Sequence, residues 1–263
     1  MEKLKFIKIE ATGNDFILFD NRDGFLQEDK GVLFRRICER RRGVGADGVI
    51  LVEDHPAANF SLKFFNPDGN RTSMCGNGSR CAAYFAKMLG IFGGGGIFSA
   101  DDGDHYAQVI DDLVKISLNV LPEIEEIRVG DEICWRVHTG VPHLIVLVDS
   151  ADSTDVARQG RYLRFNPLFK PEGVNVNFVE ILSENLVKLR TYERGVEAET
   201  LSCGTGSTAA AFFGREIKSM GNPITVRTRG GDLKISWNRE GKIFLSGPVR
   251  VVYEGVIFVK NFL

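Results

Sequence analysis

A pentapeptide that occurs twice constrains this chain more than any other feature. Cys75-Gly76-Asn77-Gly78-Ser79 recurs as Cys203-Gly204-Thr205-Gly206-Ser207, an offset of 128 (203 − 75). Thr12-Gly13, ahead of the apolar run 16–19, returns as Thr139-Gly140 ahead of 144–148, an offset of 127 (139 − 12). Gly43-Val44, ahead of 49–52, returns as Gly173-Val174 ahead of 178–181, an offset of 130 (173 − 43). Dipeptides containing glycine are common, so one such match carries little. Three in the same order at nearly one offset point to duplication, and a repeat of that length is the size of one domain.

Short apolar runs and period-2 alternation dominate the 263 residues, at 4–9, 16–20, 49–52, 60–65, 113–120, 143–149, 176–181, 186–192, 224–228, 233–237, 242–245 and 251–259. Helical periodicity is confined to 32–42, 79–89, 206–218 and 153–162. The glycine tract Gly93 to Gly96 reads as a loop, and the acidic stretch after Leu121-Pro122 (Glu123, Glu125, Glu126) as a linker. The expected fold is therefore α+β: two pseudo-symmetric domains, each a curled, barrel-like sheet around a glycine-led helix. Their bounds are set at 1–121 and 122–250, with the last strand, 251–263, returning to the first.

Charge and cysteine content remove several classes of function. Lys plus Arg is 33 against 35 for Asp plus Glu, a net charge of −2, so the basic excess used to bind nucleic acid is missing. Five cysteines (Cys38, Cys75, Cys81, Cys134, Cys203) are too few for a disulfide scaffold and odd in number, which points to a reducing, cytoplasmic compartment. No apolar run nears the ~20 residues of a membrane helix, and the N-terminus lacks the apolar core of a signal peptide.

Each copy of the pentapeptide leads into an Ala-rich helical stretch. Glycines let backbone approach a ligand closely, while the first turn of a helix leaves N–H groups unpaired and carries partial positive charge. Such a terminus binds a carboxylate or phosphate. It also stabilises a thiolate, so a cysteine at that position titrates below its free value of about 8.5. For Cys38, Cys81 and Cys134 the plain reading, a small buried hydrophobe, is preferred. For Cys75 and Cys203 the repeated context favours chemistry: two thiols beside anion-binding termini can act as base and acid on a carbon next to a carboxylate and invert it. General acid–base catalysis supplies only about 10²–10⁴-fold. Backbone N–H groups of Gly76, Asn77, Gly204 and Thr205, worth about 3–4 kcal/mol each when well placed, would stabilise the charge that grows on the carboxylate.

Further motifs accompany the repeat: Thr12-Gly13-Asn14-Asp15-Phe16, Gly43-Val44-Gly45-Ala46-Asp47-Gly48, Phe65-Asn66-Pro67-Asp68-Gly69, Gly140-Val141-Pro142-His143, Gly173-Val174-Asn175-Val176 and Tyr192-Glu193-Arg194-Gly195. Together with the two cysteine motifs they resemble the diaminopimelate epimerase family, in the family's order, from residue 3 to about residue 255. That resemblance implies a pyridoxal-independent epimerase, without cofactor or metal, that interconverts LL- and meso-2,6-diaminopimelate for lysine and peptidoglycan synthesis. It implies two domains with the active site in the cleft between them, a small-molecule substrate and a cytoplasmic homodimer. By position it makes Cys75 and Cys203 the acid/base pair, sets Gly76-Asn77 and Gly204-Thr205 on the reacting carboxylate, and gives His143 and Glu193 the tuning of the thiols. Asn14, Asn66, Asn175, Glu193 and Arg194 would bind substrate, the Arg fork matching a carboxylate.

Plainer roles stay open for several of these. Asn66 fits a turn former, Glu193–Arg194 a solvated pair, and His143 a core histidine; His138 and His143, five apart across a proline, lack metal-ligand spacing on a helix. Two positions depart from one common form of the pattern: Gly48, where some members have Gln, and Val141, where many have Asn. Within the same fold the rival is a proline or hydroxyproline racemase, whose first motif carries His where Asn77 stands. The phenazine-pathway isomerases lack the paired cysteines. A thiol redox sensor or anion-binding module is the rival from another class.

Overall fold

The computed structural model describes residues 3–262. By contacts the chain divides into two compact units, one reaching Asn119 and resuming at Gly247, the other spanning Val120–Ser246.

The first unit begins with β1 (Lys3–Ala11), β2 (Asn14–Asp20), α1 (Gly31–Cys38), β3 (Gly48–Glu53), β4 (Phe60–Phe65), β5 (Arg71–Thr72), α2 (Gly76–Met88), β6 (Gly95–Ala100), β7 (Gly103–Ile110) and β8 (Leu113–Leu118). The second contains β9 (Glu123–Val129), β10 (Glu132–His138), β11 (Pro142–Leu147), α3 (Val156–Arg164), β12 (Asn175–Ser183), β13 (Leu186–Glu193), β14 (Ala198–Thr200), α4 (Gly204–Lys218), β15 (Ile224–Thr228), β16 (Gly231–Trp237) and β17 (Ile243–Pro248). The last strand, β18 (Arg250–Phe258), pairs antiparallel with β1 in the first unit, Lys3 opposite Phe258.

Strand order is the same in both units. The first runs β18-β1-β2-β3-β4-β6-β7-β8, with β2/β3 and β4/β6 parallel. The second runs β9-β10-β11-β12-β13-β15-β16-β17, with β11/β12 and β13/β15 parallel. Registers repeat as well: Phe16 faces Gly48 where His143 faces Asn175, and Ile50 faces Phe64 where Asn177 faces Thr191. The parallel joins need crossovers, and α1, α2, α3 and α4 supply them.

Each sheet curls round one helix, α2 against β1–β4, β7 and β8, and α4 against β10–β13, β15 and β16. A helix enclosed on all sides needs small side chains, which is why Cys81, Ala82, Ala83 and Ala86, and Ala209 to Ala211, are fully buried. The outer face of each sheet carries a second apolar layer. Leu33, Phe34, Ile37 and Cys38 of α1 pack with Ile17, Phe19 and Leu51, and Val156 and Leu163 of α3 with Leu144, Val146 and Phe178. Strands covered on both faces read as unbroken apolar runs, as in Val49 to Val52.

Two expectations need correction. The acidic stretch read as a linker is β9, paired with β10 from Val129 opposite Glu132 to Glu123 opposite His138; Ile127 reaches the core while the glutamates face solvent. The tract Gly93 to Gly96 is a loop only at its start, because β6 opens at Gly95. There the side chain of Asn59 lies where a Cβ on Gly96 would stand and accepts from the amide of Ile97 at 2.9 Å. Helix starts also lie earlier than periodicity placed them, since α2 and α4 begin within the glycine motifs, at Gly76 and Gly204.

Candidate functional site

Both pentapeptides make the same local structure. Cys75 caps α2 with extended backbone (φ −133°, ψ 118°), and Cys203 caps α4 likewise (φ −127°, ψ 114°). The carbonyl of each cap accepts the first helical bond, Ser79 N to Cys75 O at 2.7 Å and Ser207 N to Cys203 O at 2.8 Å. Each thiol therefore sits at the positive end of a helix whose first N–H groups have no intrahelical acceptor.

In the first unit Asn14, at the start of β2, organises the surroundings. Its Oδ1 accepts from Cys75 Sγ at 3.8 Å and from Asn77 Nδ2 at 3.2 Å, while its Nδ2 donates to Asp47 Oδ2 at 2.6 Å. Arg40 holds Asp47 at 2.8 Å and Asp15 at 2.8 Å. Asn66 follows β4 and closes the turn Asn66-Pro67-Asp68-Gly69 through its backbone, accepting from the amide of Gly69 at 2.9 Å. It is a turn residue, half-buried. Gly48 faces a crowded space, where a Cβ would lie 2.6 Å from Phe65 O and 3.1 Å from the Phe64 ring.

In the second unit Cys203 Sγ accepts from the amide of Gly206 at 3.4 Å and shares a hydrogen bond with Thr205 Oγ1 at 3.4 Å. Thr139 Oγ1 donates to the carbonyl of Thr205 at 3.1 Å, fastening the helix start to the turn before β11. Gly206 leaves room for two neighbours: a Cβ there would meet Asn177 Oδ1 at 2.6 Å and Cys203 Sγ at 3.4 Å. Asn177 is the hub. It bonds His143 Nδ1 at 3.0 Å and accepts from Thr191 Oγ1 at 3.0 Å.

His143 is wholly enclosed, and burial pushes its pKa down to about 3, with the charges of His138 and Arg194 acting in the same direction. It is a neutral imidazole near neutral pH, its Nδ1 bonded to Asn177 and its buried Nε2 without a partner among the described residues. Asn175 donates to Pro142 O at 3.3 Å and accepts from the amide of Arg194 at 2.8 Å. The Arg194 guanidinium turns to Glu172, donating to its carbonyl at 3.0 Å and lying 3.8 Å from its carboxylate. Glu193 ends β13 and its carbonyl accepts from Glu197 N at 2.8 Å.

The remaining cysteines are buried. Burial raises Cys38 to about 12 and Cys134 to about 11, and lifts Cys81 well above its ordinary value. Four polar residues at these helix starts were not singled out from sequence: Asp47, Arg80, Asn177 and Thr191. The available signal was a polar residue in the middle of an element that should be buried, as with Asn177 between Val176 and Phe178 and Arg80 beside Cys81.

The diaminopimelate epimerase family profile matches residues 6–94 and 135–252, more than half of the sequence. A diaminopimelate epimerase of Flavobacterium psychrophilum is 40% identical, covering 97% of this chain and 100% of its own. The chain belongs to the diaminopimelate epimerase family. Another family member, from Aquifex aeolicus, is 41% identical over 96% of this chain and 97% of its own. Among solved structures, a phenazine biosynthesis protein of the PhzF family from Bacillus anthracis aligns with a TM-score of 0.76 at 17% identity, covering 98% of this chain and 100% of its own. A hydroxyproline epimerase from Agrobacterium vitis, with bound trans-4-hydroxy-L-proline, aligns with a TM-score of 0.72 at 14% identity, covering 97% and 92%. At those identities the likeness is one of fold, and the epimerase family shares it with racemase-like enzymes.

Proposed function

We propose that this isomerase interconverts LL- and meso-2,6-diaminopimelate by moving a proton at the α-carbon between two thiols, Cys75 and Cys203, without pyridoxal phosphate. One observation carries the reading: a cysteine caps the glycine-led helix at the core of each unit, in the same backbone conformation. Inversion at carbon requires a base on one face and an acid on the other, and the two caps supply one group each. As one thiolate takes the α-proton, the electron pair spreads into the carboxylate; the other thiol delivers its proton to the opposite face. Amides of Gly76, Asn77, Gly204 and Thr205 would hold that carboxylate and stabilise the charge it gains.

The asymmetric neighbours fit supporting roles. His143, being neutral, acts as a hydrogen-bond partner rather than as a cation, and Glu193 is the charged group that adjusts the thiols. Asn14, Asn66 and Asn175, with Arg194, fit the ammonium and carboxylate groups of a dipolar substrate. Family membership extends the reading to a homodimer in the cytoplasm; among the described residues no helix is long and apolar enough to cross a membrane.

Deuterium from solvent tests it. In D2O the protein should introduce deuterium at the α-position of diaminopimelate, and Cys75→Ala or Cys203→Ala should each lower that exchange about 10³-fold or more. Exchange into proline with none into diaminopimelate would replace this reading by that of a racemase.

A further inference from the structure

Arg80 is the largest side chain among the fully buried ones, with no exposed surface. It lies one turn into α2, and its guanidinium makes two long hydrogen bonds, Nη1 to Gly76 O at 3.3 Å and Nη2 to Thr12 Oγ1 at 3.3 Å. Its Nε has no partner, and among the described residues no carboxylate lies within ion-pair distance. A guanidinium stays protonated at neutral pH; burial lowers this one only to about 10. An enclosed cation with neutral partners is expensive, and it persists where an anion is available to compensate it.

Three acidic groups act on it: Cys81 and Cys75 on its own helix and Glu10 on β1. Cys81 is enclosed and held in its neutral thiol form. Glu10 is engaged at the amide of Gly13, 2.9 Å away. Asp15, on β2, is neutralised by Lys8 and Arg40. Cys75 remains, half-buried at the helix start whose first carbonyl Arg80 grips. The second unit offers an internal control: the position 128 residues on is Thr208, whose hydroxyl donates to Gly204 O at 2.9 Å, the same carbonyl without the charge.

We infer that Arg80 is a positioning residue of the first unit, a fixed counter-charge that makes the thiolate of Cys75 accessible and has no equivalent at Cys203. Two influences then meet on this sulfur: Asn14 Oδ1 receives the proton of the thiol form, and Arg80 stabilises the form without it. The inference rests on the reading of Cys75 as an acid–base group, but its test needs no substrate.

The rate of iodoacetamide alkylation is followed against pH at each cysteine separately, by mass spectrometry, in the parent protein, Arg80→Met and Arg80→Lys. In Arg80→Met the midpoint at Cys75 should rise by about one pH unit and the rate at pH 7 fall about tenfold, with Cys203 unmoved; Arg80→Lys should restore most of the parent profile. An unchanged Cys75 midpoint, or equal movement of both thiols, overturns the inference. A second measurement covers the event that Arg80→Met does not fold. A thiol whose pKa the fold lowers adds stability above its unfolded value of about 8.5 and loses it as pH falls. The excess of the parent's urea midpoint over that of Cys75→Ala should therefore grow between pH 6 and 9. A flat or falling difference overturns the inference just as well. Failure of diaminopimelate exchange, by contrast, would remove the epimerase reading and leave these titrations standing.

Discussion

Around their central helices the two units share strand order, register and helix caps, yet fill the same positions with opposite chemistry. Where the first unit sets Phe16, Ile50 and Phe64 between sheet and helix, the second sets His143, Asn177 and Thr191. Where the first buries a cation, Arg80, the second has the neutral Thr208. The backbone that sets a cysteine at the start of the central helix is the same in both units, and what surrounds it differs. In the proposed reaction one sulfur is acid while the other is base, and unlike surroundings would add to the separation of their two protonation states.

The comparison can be broken by substitutions at matched positions. Asn177→Ala strips His143 and Thr191 of a shared partner, each orphaned group costing about 1–3 kcal/mol. Its urea midpoint and its kcat should both fall. Ile50→Val at the matching site should cost only about 0.5–1.5 kcal/mol with little change in kcat, and equal effects on kcat at the two sites would erase the proposed division of labour. Smaller is the contrast between Gly206→Ala and Gly78→Ala. The first drives a methyl against Asn177 Oδ1 at 2.6 Å, the second against Ile50 Cδ1 at 3.2 Å. Overpacking of about 1–3 kcal/mol is expected at 206, whereas at 78 the gain in helix propensity, about 1 kcal/mol, offsets most of the crowding. Differential scanning calorimetry should rank them in that order.

Smallest over the working range is a pH effect confined to the second unit. The fold lowers the pKa of His143 to about 3 from 6.5, so its contribution to stability is complete above pH 6.5 and is lost as pH falls towards 3, by at most about 1.4 kcal/mol per unit. The urea midpoint should therefore decline below pH 6.5, and His143→Phe, which copies the first unit, should flatten that decline. An identical slope in both proteins would remove His143 as its cause.

Much of this was legible in the sequence because a cysteine followed by alternating glycines specifies a helix start almost by itself, and finding it twice specified two of them. Strands enclosed on both faces announce themselves as apolar runs, as Val49 to Val52 does in β3, and half-covered ones by alternation, as in β4 and β15, whose bounds are those of 60–65 and 224–228. One half-covered strand escaped that signal. In β9 three glutamates and Arg128 are interleaved with Ile124, Ile127 and Val129, so charge concealed the alternation. Arg80, Asn177 and Thr191 were missed for a related reason: periodicity predicts that a position is buried, and says nothing of whether a polar group there finds partners. Asn66 shows the converse, since its turn geometry was readable whereas its proposed contact with substrate depends on atoms that do not neighbour it in sequence.

The return of β18 to β1 bears on how the molecule comes off the ribosome. The second unit is one uninterrupted stretch, Val120–Ser246, and has all its strands once that stretch has emerged. Although it is made first, the other unit has an open edge at β1 until Arg250–Phe258 arrives. Already paired with β2, β1 gains its second neighbour only after the whole second unit has been made, so nascent chains should acquire protease resistance in the later-made unit before the earlier one, the reverse of the usual vectorial order.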